Sequence, residues 1–156
     1  MNVYWDTSAL IKRYLAEPGT SEVLDLLGEA SLSATVVGTR AEVAGVFSKA
    51  FSKGRLTEEQ VKHGMREFRQ DWQAYLRVKI SETMIRDADH LAFQYSLRAY
   101  DAVHLSAALI WKDRISDVIH FATFDDNLWR AAGTEGFEPF PDSLPSGFLK
   151  ILRSSS

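Results

Sequence analysis

The chain has 156 residues, is 46% hydrophobic and 25% charged, carries a net charge of -3 and contains no cysteine. That length and balance suit one globular domain with a buried core. The missing thiol excludes disulfides, thiol catalysis and cysteine-ligated metal sites, and the mildly acidic balance argues against a broad, non-specific nucleic-acid footprint.

In chain order, Asn2–Trp5 reads as a first strand and Thr7 to Ala16 as a helix, with Thr7 or Ser8 as its cap. Glu17-Pro18-Gly19 breaks that helix, and a second runs from Thr20 or Ser21 to Leu27. Leu32–Val37 is the second strand. Arg40 to Lys53 is a helix closed by Gly54, and Thr57-Glu58-Glu59-Gln60 forms a capping box that opens the next. Val61, Met65, Phe68, Trp72, Tyr75 and Leu76 make one apolar stripe on it. Arg77–Ile80 is a short strand, and Thr83–Ser96 an amphipathic helix. The run from Asp101 to Lys112 is apolar nearly all round, as in a deeply buried helix. Val118–Thr123 is a strand, Asn127–Ala132 a short helix and Phe137–Phe140 an edge strand. Strands alternating with helices imply βαβ units. The expected fold is a three-layer α/β/α domain over residues 1–140, with a mostly parallel central sheet of about five strands. Residues 141–156 read as a tail. The N-terminus has no secretory pattern, and no apolar stretch nears the roughly 18 residues of a membrane span, so a cytoplasmic protein is expected.

Four acids fall at the boundaries that matter in such a fold. Asp6 follows the first strand and Asp125 follows the Val118–Thr123 strand. Glu42 and Asp101 open helices on the same side of the sheet. Each taken alone is also a good helix-capping or first-turn residue. Ligands in open α/β sheets bind beyond the carboxyl ends of the strands, so the four together predict a shared site. Two carboxylates about 5 Å apart repel by roughly 3 kcal/mol at an effective dielectric of 20. A divalent cation resolves that conflict, and an all-oxygen set selects Mg²⁺ or Mn²⁺. Of the adjacent pair, the strand-end position assigns Asp125 to the site and leaves Asp126 as the helix cap.

At these residues the chain resembles the PIN-domain ribonucleases, most closely the VapC-type toxins of prokaryotic toxin–antitoxin pairs. The resemblance runs from Met1 to Phe140. It rests on Asp6-Thr7-Ser8-Ala9, on Thr39-Arg40-Ala41-Glu42-Val43, on Leu97 to Leu105 around Asp101, and on Phe121-Ala122-Thr123-Phe124-Asp125. It implies an acidic Mg²⁺/Mn²⁺ pocket that cuts single-stranded or loop RNA. Asp6, Glu42 and Asp101 match the core acids and Asp125 the fourth, with Ser8 and Thr123 assisting by hydrogen bonds. It also implies a homodimer and a cognate antitoxin whose C-terminal segment covers the site. The expected mechanism has Asp6 and Asp101 hold the metal, with Glu42 and Asp125 binding directly or through water, and an activated water attack phosphorus in line.

Other residues need weighing beside the four acids. Arg40, just before Glu42, is a candidate phosphate contact or a neutralising charge, and Lys12 and Arg13 are weaker candidates of that kind. His104 lies on the Asp101 face of its helix. It reads first as a hydrogen-bonded core residue and second as a group that touches substrate or tunes an acid. Asp87-Ala88-Asp89-His90 reads as a solvated face. Lys49, Lys53, Arg55, Lys62, Arg66 and Arg69 form a basic region that reads first as ordinary helix surface. An RNA-processing or DNA nuclease and a non-catalytic module on the same fold remain as alternatives. A haloacid-dehalogenase-type phosphatase ranks low, because Ser8 stands where it needs a second Asp.

Overall fold

In the computed structural model of the protein, which describes residues 1–144, alternating strands and helices assemble into one five-stranded sheet. The strands are β1 (Asn2–Trp5), β2 (Leu32–Val36), β3 (Leu76–Val78), β4 (Ile119–Ala122) and β5 (Glu138–Phe140). Their order across the sheet is β3-β2-β1-β4-β5, and every pairing is parallel. The helices are α1 (Thr7–Leu10), α2 (Thr20–Glu29), α3 (Thr39–Ser52), α4 (Glu58–Asp71), α5 (Glu82–Tyr95), α6 (Ala99–Lys112) and α7 (Asp126–Thr134).

Alternation along β1 divides the core. Tyr4 points to one face, where it packs with β4, α5, α6 and α7 through Phe121, Met84, Leu105 and Leu128. Val3 and Trp5 point to the other, among Leu10, Val23, Val43, Phe47, Phe68 and Phe124. The sheet is therefore the middle of three layers. Residues of β1 are buried throughout because both faces are covered, as expected of a central parallel strand.

The topology also places the site. The chain winds outward from β1 through β2 to β3, then crosses back to put β4 on the other side of β1. The direction reverses between β1 and β4, and that switch point opens a crevice at the carboxyl ends of both strands. Register pairs Trp5 with Ala122, and the Asp6 amide continues the ladder to the Ala122 carbonyl at 2.9 Å.

Three local features depart from the sequence reading. The first helix is shorter than predicted: after Leu10 the backbone tightens into a 3₁₀ turn over Ile11–Arg13. There Lys12 turns inward to Glu17 at 2.8 Å and over the Phe124 ring. Leu76, placed on the α4 stripe, instead starts β3 and is exposed, because α4 ends at Asp71 and a 3₁₀ turn over Trp72–Ala74 changes direction. Of the rest of that stripe, Met65, Phe68, Trp72 and Tyr75 are buried, and Val61 is partly buried against them. The capping box at Thr57 is formed in both directions. The predicted tail begins attached, since Trp129 Nε1 donates to the Pro141 carbonyl at 2.7 Å and Leu144 packs against the core. From residue 145 on it lies outside the described residues. Among the described residues no helix is long and apolar enough to cross a membrane.

Candidate active site

Asp6 is the fixed point of the crevice. It is the residue at which β1 ends and α1 begins, and it is buried. Its Oδ2 accepts from Ser8 Oγ at 2.6 Å and from Thr123 Oγ1 at 2.8 Å. Those hydroxyls also join the two strand ends, since Ser8 Oγ accepts from the Phe124 amide at 2.9 Å and Thr123 Oγ1 from the Asp125 amide at 3.1 Å. Ser8 and Thr123 thus hold the carboxylate in one orientation and stitch β1 to the segment after β4.

Glu42 is set beside Asp6 by the start of α3. Thr35 on β2 bonds the Trp5 carbonyl and the Thr39 hydroxyl, each at 2.7 Å, which anchors the first turn of α3 to the sheet. Gly38 precedes it, and a Cβ there would collide with the Tyr100 hydroxyl, so the seat of the Tyr100 side chain against the start of α3 depends on glycine. Glu42 Oε1 accepts from Thr7 Oγ1 and faces His104 Nε2, both at 2.7 Å.

His104 is wholly buried, as its apolar helix suggested, and it also touches the acids. Its Nε2 lies 2.7 Å from Glu42 Oε1 and 3.4 Å from Asp6 Oδ1, while Nδ1 lies 3.1 Å from the Tyr4 hydroxyl. The carboxylates assign the proton to Nε2, leaving Nδ1 to accept from Tyr4. Burial works against a charged ring, but Asp6, Glu42 and Asp101 outweigh it and raise the His104 pKa.

Asp101 and Asp125 form the other part, outer only in being capped by an exposed guanidinium, since Glu42 at 29% is itself more exposed than either, at 16% and 24%. Asp101 stands in the first turn of α6, where the helix dipole favours an acid. Burial and the neighbouring Asp6 and Asp125 charges push its carboxyl up to about 6, against the opposing pull of Arg98. Arg98, just before α6, reaches Asp101 Oδ2 through Nε and Asp125 Oδ2 through Nη2, both at 3.2 Å. The assignment of Asp125 to the site and Asp126 to the cap needs correction. Asp125 does both, because its Oδ1 accepts from the Leu128 amide at 2.9 Å while Oδ2 meets Arg98. Asp126 lies in the first turn of α7 and pairs with Arg130 at 3.1 Å.

The crevice therefore gathers Asp6, Glu42, Asp101 and Asp125, with Ser8 and Thr123 bonded to the first. It does not gather every candidate. Arg40 is exposed and pairs with none of the four acids among the described residues. Lys12 is held away by Glu17, and Arg13 leans toward Asp71 at 3.6 Å. Asp87, Asp89 and His90 are exposed on α5. Sequence reasoning gave Thr7 only a capping role and gave Tyr4 and Arg98 no role in the site. Only Arg98 had a local signal, its spacing of three residues from Asp101.

Comparison with known proteins agrees with this geometry. No family model matches the chain. Ribonuclease VapC45 of Mycobacterium tuberculosis strain CDC 1551 / Oshkosh is 31% identical over 144 residues, covering 91% of this chain and 96% of that protein. Ribonuclease VapC49 of strain ATCC 25618 / H37Rv matches to the same extent. At that identity and coverage, the chain belongs to the VapC-type family of PIN-domain ribonuclease toxins.

Proposed function

We propose that the protein is a divalent-metal-dependent endoribonuclease toxin whose catalytic acids are Asp6, Glu42, Asp101 and Asp125. The observation that carries the reading is their convergence from four separate elements on the switch-point crevice, where Asp101 senses both Asp6 and Asp125. RNA as substrate class follows from the ribonuclease names of the relatives.

The donor set fits a hard cation. All four side chains offer carboxylate oxygen, and a cationic guanidinium already stands between two of them. Among the described residues no three His, Cys, Asp or Glu side chains already form a ligand cluster. Mg²⁺ or Mn²⁺, when bound, supplies Lewis-acid stabilisation of the phosphodiester and activates water. Asp6 and Asp101 are the residues to hold it, with Glu42 and Asp125 beside them.

The remaining work belongs to the chain itself. Ser8 and Thr123 fix Asp6, so that carboxylate meets its ligand without reorganising. Thr7 and His104 both engage Glu42 Oε1, which fixes that carboxylate beside Asp6. Buried β1 and α6 close the floor of the crevice beneath Asp6, whose side chain is 5% exposed. A cognate antitoxin whose C-terminal segment covers the acids, and pairing of two copies, complete the proposal. Phe93, 91% exposed on α5, suits a face covered by another chain.

Cleavage of total cellular RNA by purified, partner-free protein tests the reading, with Mg²⁺, Mn²⁺ or EDTA and an Asp6→Asn control. Metal-dependent fragments with 5′-phosphate and 3′-hydroxyl ends are expected. A 2′,3′-cyclic phosphate product overturns the water-attack mechanism. Failure of both folded proteins to cut any RNA favours a non-catalytic module.

A further inference from the structure

We propose that Arg98 is a resident counter-ion of the outer acids, which yields Asp101 and Asp125 to a divalent cation and then turns to the RNA phosphate. The inference rests on the nuclease reading for its second half. Its first half stands on geometry alone.

The guanidinium sits where a cation is needed. One side chain contacts both outer acids through two different nitrogens, Nε to Asp101 and Nη2 to Asp125. Without it, two carboxylates from α6 and from the start of α7 would face each other beside Asp6 with no positive partner between them. Yet the contacts are of a kind that can be given up. Each carboxylate receives one hydrogen bond at 3.2 Å, longer than the roughly 2.7–2.9 Å of a strong charge-assisted bond, and neither pairing is the bidentate fork that arginine forms at its strongest.

The Arg98 side chain is 77% exposed, whereas those of Asp101 and Asp125 are 16% and 24% exposed. An ion pair with so exposed a member is weak, and its long stem is free to swing. A doubly charged ion supplies the two carboxylates with more positive charge than one guanidinium does. The backbone of Arg98 stays fixed meanwhile, because Leu97 before it and Ala102 after it are both buried. A released guanidinium therefore remains at the rim of the crevice, where a phosphodiester chain would lie and where arginine binds phosphate oxygens well.

The test is Mn²⁺ titration by calorimetry of the partner-free wild type, Arg98→Ala and Arg98→Lys, followed by RNA cleavage kinetics on the same preparations. Circular dichroism confirms folding, which an exposed side chain should not control. Arg98→Ala is expected to bind Mn²⁺ about fivefold more tightly, because a competing charge is gone. Arg98→Lys should fall between the two. KM for RNA should rise about tenfold in Arg98→Ala, the loss of one charge-assisted phosphate contact, with a smaller change in kcat. A residue that only braced the fold would weaken Mn²⁺ binding when removed, so the opposite sign is diagnostic. Unchanged or weaker Mn²⁺ binding in Arg98→Ala overturns the counter-ion role, and an unchanged KM overturns the phosphate role. If the wild type cuts no RNA, the nuclease reading and the phosphate half fall together, and the Mn²⁺ comparison still decides the first half.

Discussion

Asp6 and Glu42 lie under a lattice of hydroxyls and one buried imidazole, whereas Asp101 and Asp125 share a guanidinium that is 77% exposed. The inner acids are held by the Thr7, Ser8 and Thr123 hydroxyls and the His104 ring, from α1, α6 and the segment after β4, which the fold cannot withdraw without disturbing its core. Their outer counterparts are held by a charge on a flexible stem. Hydroxyl donors fix direction without cancelling charge, so the inner half keeps its appetite for a cation. The mobile charge cancels part of the repulsion and can leave. A site that must be rigid where it positions its ligand and exchangeable where ligand and substrate enter needs both devices.

The largest effect should come from the inner half. Asp6→Asn keeps the shape of the side chain but presents an amide where Ser8 and Thr123 donate. Cleavage should fall more than about 100-fold, beyond the 10–100-fold typical of a residue that merely orients a ligand. Initial rates on one RNA at saturating Mg²⁺ measure it, and retention of half the wild-type rate would remove Asp6 from the catalytic set. His104→Ala comes next. It empties a wholly buried position and strands the Tyr4 hydroxyl and Thr7–Glu42 contacts. We expect a loss of about 2–4 kcal/mol in urea unfolding, from the cavity and the unpaired polar groups. Arg98→Ala should change the same measurement little. Equal losses from the two variants would erase the contrast between a rigid and an exchangeable half.

The sequence carried the frame of this comparison more clearly than its contacts. Strand ends and helix starts were legible because alternation and turn residues mark them, and in a parallel sheet they necessarily share an edge. That was enough to bring Asp6, Glu42, Asp101 and Asp125 forward. The direction of a side chain at a strand end was not legible, and so the Asp125–Asp126 division of labour came out too simple: one carboxylate has two oxygens, and Asp125 uses one for each task. The role of His104 depends on partners 62 and 100 residues away, Glu42 and Tyr4, which no local pattern encodes. Its burial was legible from the apolar run around it, but its contacts were not. The early end of the first helix likewise reflects a long-range fit, with Lys12 over Phe124.

Asp101→Asn gives a smaller effect than Asp6→Asn or His104→Ala, and one with an unexpected sign. In the folded protein burial, Asp6 and Asp125 push the Asp101 carboxyl up to about 6, from an ordinary value of 3.8, while Arg98 pulls the other way. The folded state therefore holds more protons than the unfolded state between those values, and metal-free stability falls as pH rises through that window. At pH 7 the charged Asp101 is a net cost, which an uncharged isostere removes. A carboxyl raised that far costs about 3 kcal/mol at most once it is ionised. The pull of Arg98 is already contained in that net shift, so asparagine forfeits in addition only the favourable interaction with the α6 dipole, about 0.3–1 kcal/mol. The net expectation is a gain of about 2 kcal/mol at pH 7, shrinking toward zero or reversing near pH 4, where the native Asp101 is already protonated. Thermal unfolding in EDTA across that pH range checks it. A variant less stable than wild type at pH 7 would mean that Arg98 neutralises Asp101 far better than its exposed, single-bonded contact implies, and the outer half would then be as firmly held as the inner one.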